Sequence, residues 1–212
     1  NTTPTTAIFT INELPLVPTV SASPSAVICE FDPNPTFTAA QGTGSTGTWD
    51  FNWYDVDPTA NPGAIPVATS VNTFTPTQTA VGIYTFWVTE TNSSTSCEGG
   101  AFSFTFEIIS LPSAPTYTPN PYEICYGDPN PAFAPNASGS GSNLIWYDDI
   151  FLTSQVGTGA SFTPPVTVVG NASTVSTYSY WVVDQPGTCV SPPLQVDLII
   201  NPLPTPGPIW HN

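Results

Sequence analysis

The chain has no lysine and no arginine, against 15 aspartates and glutamates, for a formal net charge of −15. A polyanion without cations cannot neutralise phosphates and release their counterions, which excludes nucleic acid as a partner. It cannot dock electrostatically on an anionic membrane surface either. Lysine-dependent isopeptide crosslinks are excluded, so any covalent brace must be a disulfide. The single histidine, His211, stands in the terminal tail. Nucleophilic catalysis needs a base beside its serine or cysteine, and none is at hand. Paired carboxylates can hydrolyse a glycoside, but the acids here fall on turns of small domains without an obvious cleft. The expectation is that the chain is not an enzyme. No uninterrupted apolar run is long enough to cross a membrane, and no secretory leader or lipidation motif is present. The chain therefore reads as a mature product or an excised segment. Helical periodicity is missing as well, because proline, glycine or β-branched residues interrupt every apolar stretch.

What is present is a sentence written twice. Cys29-Glu30-Phe31-Asp32-Pro33-Asn34-Pro35 returns as Cys125-Tyr126-Gly127-Asp128-Pro129-Asn130-Pro131, an offset of 96. Trp53-Tyr54 returns as Trp146-Tyr147, Tyr84 to Val88 as Tyr178 to Val182, and Cys97 as Cys189, at offsets of 93, 94 and 92. Leu14-Pro15, Leu111-Pro112 and Leu203-Pro204 mark the joints. A repeat of this length closes its own core instead of stacking as a solenoid. Strand-rich runs bounded by turn residues recur: Ala7–Ile11, Phe51–Tyr54, Ile83–Thr89 and Phe102–Ile109, then Leu144–Tyr147, Tyr178–Val183 and Leu194–Ile200. The fold class expected is all-β, two tandem immunoglobulin-like sandwiches joined by a short proline-rich linker. Residues 14–110 would form the first and 111–202 the second. Residues 1–13 would be the closing strand of a preceding repeat or a donor strand, and 203–212 the start of a following repeat or a tail. The four cysteines divide as one pair per repeat, without the close C-x-x-C spacing of a metal site. Two disulfides are expected, Cys29 with Cys97 and Cys125 with Cys189, each stabilising its repeat by about 2–4 kcal/mol.

Gly82-Ile83-Tyr84-Thr85-Phe86-Trp87-Val88, followed by Cys97, and the Leu-Pro-x-x-Pro joint carry a resemblance. This stretch resembles the immunoglobulin-like and polycystic-kidney-disease-type repeats of giant secreted Bacteroidota surface adhesins, including gliding-motility adhesins exported by the type IX secretion system. The likeness covers Cys29–Ile109 and Cys125–Ile200; the second repeat has Ser176-Thr177-Tyr178 in place of Gly-x-Tyr. It implies sandwich beads in a long cell-surface filament and supplies no catalytic residues. Tyr84 and Tyr178 stand where a tyrosine corner belongs. Alternation turns Trp87 and Trp181 away from the core. They read either as packed against the disulfide or a neighbouring strand, or as platforms for sugar rings, with Trp49 a further platform.

Asp50, Asp55 and Asp57, with Asp148 and Asp149 in the second copy, read either as turn formers or as oxygen ligands for Ca²⁺; no other cofactor is expected. The function expected is a disulfide-braced structural or adhesive spacer in an extracellular surface fibre. Its partners would be neighbouring repeats. Two rivals stand beside it: a carbohydrate-binding module that uses the tryptophans, and a filament subunit assembling by strand exchange through residues 5–13.

Overall fold

The computed structural model describes residues 8–9, 11–45, 47–137, 143–165 and 173–204. The chain divides into two compact units, Asn1–Ile109 and Ser110–Asn212. No α-helix occurs among the described residues.

In the first unit, strands β1 (Thr19–Ser23), β3 (Thr36–Ala40) and β5 (Thr73–Phe74) form one sheet in the order β1-β3-β5. Strands β2 (Val27–Cys29), β7 (Phe102–Ile109), β6 (Gly82–Asn92) and β4 (Trp49–Tyr54) form the other, in that order. The chain thus changes sheets between β1 and β2. β1 pairs antiparallel with β3, whereas β2 runs parallel to β7 with Cys29 opposite Ile109. Alternation explains how β6 sits. Ile83 and Thr85 face out, while Phe86 and Val88 are buried. They join Phe37, Phe51, Trp53, Phe106 and Ile108 in a core between the two layers. The hydroxyl of Tyr84 donates to the carbonyl of Ala80 at 2.8 Å, the expected tyrosine corner.

The second unit repeats the larger sheet. Strands β10 (Gln155–Thr158), β9 (Leu144–Tyr147), β11 (Ser176–Asp184), β12 (Leu194–Asn201) and β8 (Tyr122–Cys125) follow that order, with β8 parallel to β12 and Cys125 opposite Asn201. Among the described residues, its second layer shows the bridges Thr116–Asn136 and Phe133–Phe162. The latter reproduces the Phe37–Phe74 pair of the first unit. Registers agree across the copies: Trp53 lies opposite Val88, and Trp146 opposite Val182. Both indoles are fully buried. Trp53 donates to the Val71 carbonyl at 2.9 Å and stacks on Phe74 at 5.4 Å. Trp146 donates to Gly159 at 3.3 Å and stacks on Phe162 at 5.1 Å. A buried tryptophan on the strand beside β6 or β11 is a mark of immunoglobulin-like sandwiches.

Two expectations need correction. Of the anticipated strand Ala7–Ile11, residues Ala7 and Thr10 lie outside the described residues. Ile8, Phe9 and Ile11 are exposed and belong to no strand, since none of the described strands pairs with them.

The second correction is the sulfur pairing. Cys97 and Cys125 are free thiols, so neither Cys29–Cys97 nor Cys125–Cys189 is formed; Cys29 and Cys189 are disulfide-bonded. Register gives the reason. Cys29 flanks Ile109, beside the Gly82 end of β6, whereas Cys97 follows its Asn92 end, where the Asn92 amide donates to the Cys97 carbonyl at 2.9 Å. Ten strand rises separate those ends, about 33 Å at the usual spacing, and a disulfide needs Cα atoms within about 7 Å. In the second unit Cys125 sits at the Ser176 end of β11 and Cys189 beyond its Asp184 end.

Candidate functional site: the two poles of each sandwich

Each sandwich thus has two poles, and the chemistry-bearing residues gather at them. The exit pole is where the last strand, β7 or β12, delivers the chain. Here the same turn is built twice. The Asp32 carboxylate accepts from the Cys29 amide at 3.2 Å, and Asp128 from the Cys125 amide at 2.9 Å. The next amide, Glu30 or Tyr126, donates to Ile109 or Asn201 at 2.8 Å. The turn requires a left-handed residue. Gly127 fills the position at φ 94°, and Phe31 fills its counterpart at φ 74° with its ring 86% exposed. The aspartate that opens Asp-Pro-Asn-Pro therefore closes the same turn in both copies.

The opposite pole of the first unit receives the entering chain. Pro15 is buried there, and two glycines make room for it. A Cβ on Gly99 would lie 2.4 Å from the Pro15 carbonyl oxygen, and one on Gly42 would lie 2.7 Å from both Leu16 Cβ and the Val17 oxygen. Glu90, fully buried behind this cradle, accepts from the Gly42 amide at 3.0 Å through Oε2, while its Oε1 has no hydrogen-bond partner. The Glu90 carbonyl accepts from Gly99 at 2.9 Å, and that of Asp184 accepts from Ser191 at 2.9 Å. Cys97 and Cys189 each stand two residues before the amide donor, so they occupy equivalent places. One weak signal for this pole is legible in the sequence: an acid stands near the end of the long strand in both copies, Thr89-Glu90 and Val183-Asp184. Nothing in single-residue composition marked Gly42 or Gly99.

The carboxylates considered for Ca²⁺ do not converge. Asp50, second in β4, accepts from Ser93 Oγ at 2.9 Å, whereas Asp55 and Asp57 follow the other end of that strand. Asp57 Oδ1 accepts from the Thr59 amide at 2.8 Å and its hydroxyl at 2.6 Å. The Thr59 hydroxyl and amide hold that exposed carboxyl below its usual range. Partial desolvation pushes Asp149 upward, but amides of Ser154 at 2.6 Å, Thr153 at 2.9 Å and Phe151 at 2.8 Å outweigh it, and its carboxyl also sits low. Asp148 packs near Tyr180 and lines a cleft with Trp181. No group of three or more potential metal ligands is found among the described residues.

Trp87, Trp181 and Trp49 are all half-buried. Trp87 lies opposite Tyr54 and Ser103 on the outer face of its sheet. Trp181 lines a cleft of about 480 Å³ with Asp148, Val156 and Tyr178. Trp49 borders a cleft beside the entering segment Ile11–Leu16, and its indole N–H has no hydrogen-bond partner.

Burial pushes Tyr54 up to about 12, helped by its 2.6 Å hydrogen bond to Glu98. Burial does the same for Tyr180, helped by the charges of Asp148 and Tyr178. An unfolded tyrosine ionises near ~10. Above that pH the unfolded chain loses a proton that the folded chain keeps, so stability is complete below pH ~10 and falls toward pH ~12. Urea midpoints should drop across this window, each tyrosine contributing up to about 1.4 kcal/mol per pH unit. Tyr54→Phe should flatten the decline in the first unit; an unchanged slope would refute the assignment.

No protein-family model matches this chain, and no curated protein matches it. Solved structures with a similar course of strands include the EC22–24 segment of mouse cadherin-23, at 13% identity over 87% of this chain and 67% of that one, with a TM-score of 0.33. Human OSCAR's ligand-binding domain gives 14% identity over 87% and 97%, with a TM-score of 0.33. A mouse coronavirus receptor-binding domain complexed with its murine receptor gives 11% identity over 87% and 96%, with a TM-score of 0.40. Scores of this size carry no argument about what the chain does.

Proposed function

We propose that the chain is a structural, adhesive segment of a long extracellular fibre, its sandwiches strung end to end and bearing tension along the strands. One observation carries this reading. In the first unit the chain enters at the Asn92 end of β6 and leaves at the Gly82 end, so entry and exit stand an 11-residue strand apart. A bead threaded that way adds reach with every copy. Tension applied through its ends runs along the sheets and must shear the β2–β7 and β6–β7 ladders together, instead of peeling one bond at a time. The proline-bearing joint Leu111-Pro112-Ser113-Ala114-Pro115 favours extended backbone over a loose coil. Disulfide-bonded Cys29 and Cys189 suit an oxidising, extracellular compartment. The cation-free surface of Thr, Ser and Asn stays soluble and gives trypsin nothing to cut.

Single-molecule stretching of the reduced chain tests the reading. Two unfolding events are expected, each releasing about 30 nm of contour, the length of roughly 95 residues less the folded bead. Smooth extension without discrete events would refute tension-bearing beads. The carbohydrate reading keeps one supporting observation, the cleft beside Trp181 that also holds Asp148 and Tyr178. An aromatic face next to hydrogen-bonding groups suits a sugar ring. The strand-exchange reading rests on residues 5–13, of which 5–7 and 10 lie outside the described residues.

A further inference from the structure

We propose that Cys97 and Cys125 are two halves of an inter-repeat disulfide: the exit-pole cysteine of one repeat bonds the entry-pole cysteine of the repeat that follows. This inference rests on the fibre reading and names the bond that would lock its joints. Each free thiol is the counterpart, in the other repeat, of a bonded one. Cys125 is free and exposed; its counterpart Cys29, in the same turn with the same aspartate on its amide, is disulfide-bonded. Cys97 is free and half-buried; its counterpart Cys189 is disulfide-bonded and 5% exposed. The amide bonds beside each pair recur: Glu30 to Ile109 as Tyr126 to Asn201, and Gly99 to Glu90 as Ser191 to Asp184. Position in the repeat therefore does not decide which cysteine bonds. The proposed partner of Cys125, at the exit pole of the second repeat, is the entry pole of a following repeat; that of Cys97, at the entry pole of the first, is the exit pole of a preceding one.

Direction follows from the same geometry. Within a repeat the two cysteines lie at opposite ends of the sheet, too far apart to meet. In a chain of such repeats the short joint tethers each exit pole to the following entry pole, which raises the effective concentration of a Cys125-type thiol beside a Cys97-type thiol. Like poles are never tethered together. The bond forms by thiol–disulfide exchange with a small-molecule disulfide such as oxidised glutathione. One cysteine thiolate attacks it and releases one glutathione thiol. The second cysteine thiolate then attacks the mixed disulfide and releases another. The protein gives up two electrons and two protons, and glutathione disulfide receives them as two thiols.

The test extends the chain by one repeat. Residues 1–202 are followed directly by a second copy of residues 14–109, so that Leu14 falls where Leu203 stood. Cys97 of the first repeat is replaced (Cys97→Ser), leaving the added copy with the only Cys97. The protein is folded in a glutathione redox buffer and mapped by mass spectrometry without reduction, after cleavage at aromatic residues. Cys125 should be joined to Cys97 of the added copy in most molecules, and its alkylation should fall at least tenfold against the 212-residue chain. Cys125 remaining open to alkylation in the folded protein would overturn the proposal. So would bonding of Cys125 chiefly to Cys125 of another molecule.

Electron micrographs of the same protein separate the two layers of the argument. Three beads in a row with a free Cys125 refute the sulfur link and leave the fibre reading standing; a compact cluster refutes the fibre reading and the link with it. Should the extended chain fail to fold, the 212-residue chain is oxidised at high concentration. Covalent oligomers joined Cys125 to Cys97, absent in Cys125→Ser, then support the proposal, and a statistical mixture of like and unlike pairs refutes it.

Discussion

Trp53→Ala should destabilise the first unit by about 3–5 kcal/mol, and Trp146→Ala should do the same to the second. Both indoles are completely buried, and each is held three ways: by an aromatic stack, by a hydrogen bond to a loop carbonyl, and by its register against the long strand. Truncation removes the burial of the ring, leaves a cavity that Phe74 or Phe162 can only partly fill, and strands the carbonyl of Val71 or Gly159. Against a domain stability of about 5–15 kcal/mol, a loss of this size brings the affected unit close to unfolding at ambient temperature. Urea titrations followed by hydrogen exchange, read separately for peptides of each unit, measure it. The mutated unit should lose protection while the other keeps its own, because each unit closes its own core. Trp87→Ala is the contrast. That half-buried ring lies on the outer face, and its loss should cost well under half as much. Equal losses from Trp53→Ala and Trp87→Ala would mean that the assignment of inner and outer faces is wrong.

These effects show which layer of the structure can be read from sequence. The long strand β6 was legible because its first half alternates: Ile83 and Thr85 face out, and Phe86 and Val88 face in. β3 was not, since Thr36-Phe37-Thr38-Ala39-Ala40 offers one large apolar residue, and β5 is only two residues long. Such short strands are specified by what they pack on, Phe37 on Phe104 and Phe74 on Trp53. The cysteine pairing failed for a related reason. Counting found one pair per repeat, but a disulfide depends on distance along the sheet, and only the register of β2 against β7 reveals that Cys29 and Cys97 stand at opposite poles. Alignment of the copies alone would not have shown it, because equivalence says which residues play the same part and not which ones meet. Phe31 was hidden for another reason again: the left-handed turn is announced by Gly127 in one copy and disguised by a phenylalanine in the other.

Gly99→Ala should be the most damaging small substitution, lowering the stability of the first unit by about 1–3 kcal/mol and loosening the segment that enters it. The added methyl would stand 2.4 Å from the Pro15 carbonyl oxygen and 3.0 Å from its carbonyl carbon, and both are backbone that cannot rotate aside. Two responses are open to the chain. Either the Cys97–Gly99 segment shifts and strains the bond from the Gly99 amide to the Glu90 carbonyl, or Pro15 lifts from its pocket and the entry segment detaches. Gly42 guards the same segment from the other side, so Gly42→Ala should act in the same direction, and its displacement would also pull the amide away from buried Glu90. Gly187→Ala is the control: nothing lies within 4 Å of the added atom, and the change should stay within about ±0.5 kcal/mol. Hydrogen exchange at the Leu16 and Val17 amides reports the detachment, and thermal melting reports the strain. Faster exchange at those amides, with the core of the unit still protected, would show that the two glycines fix how the chain enters the bead; unchanged exchange and melting in Gly99→Ala would show that they do not. The distinction bears on mechanics, because an entry segment clamped between two backbone walls passes tension straight into β1 and β7, whereas a detached one lets each bead swivel on its joint.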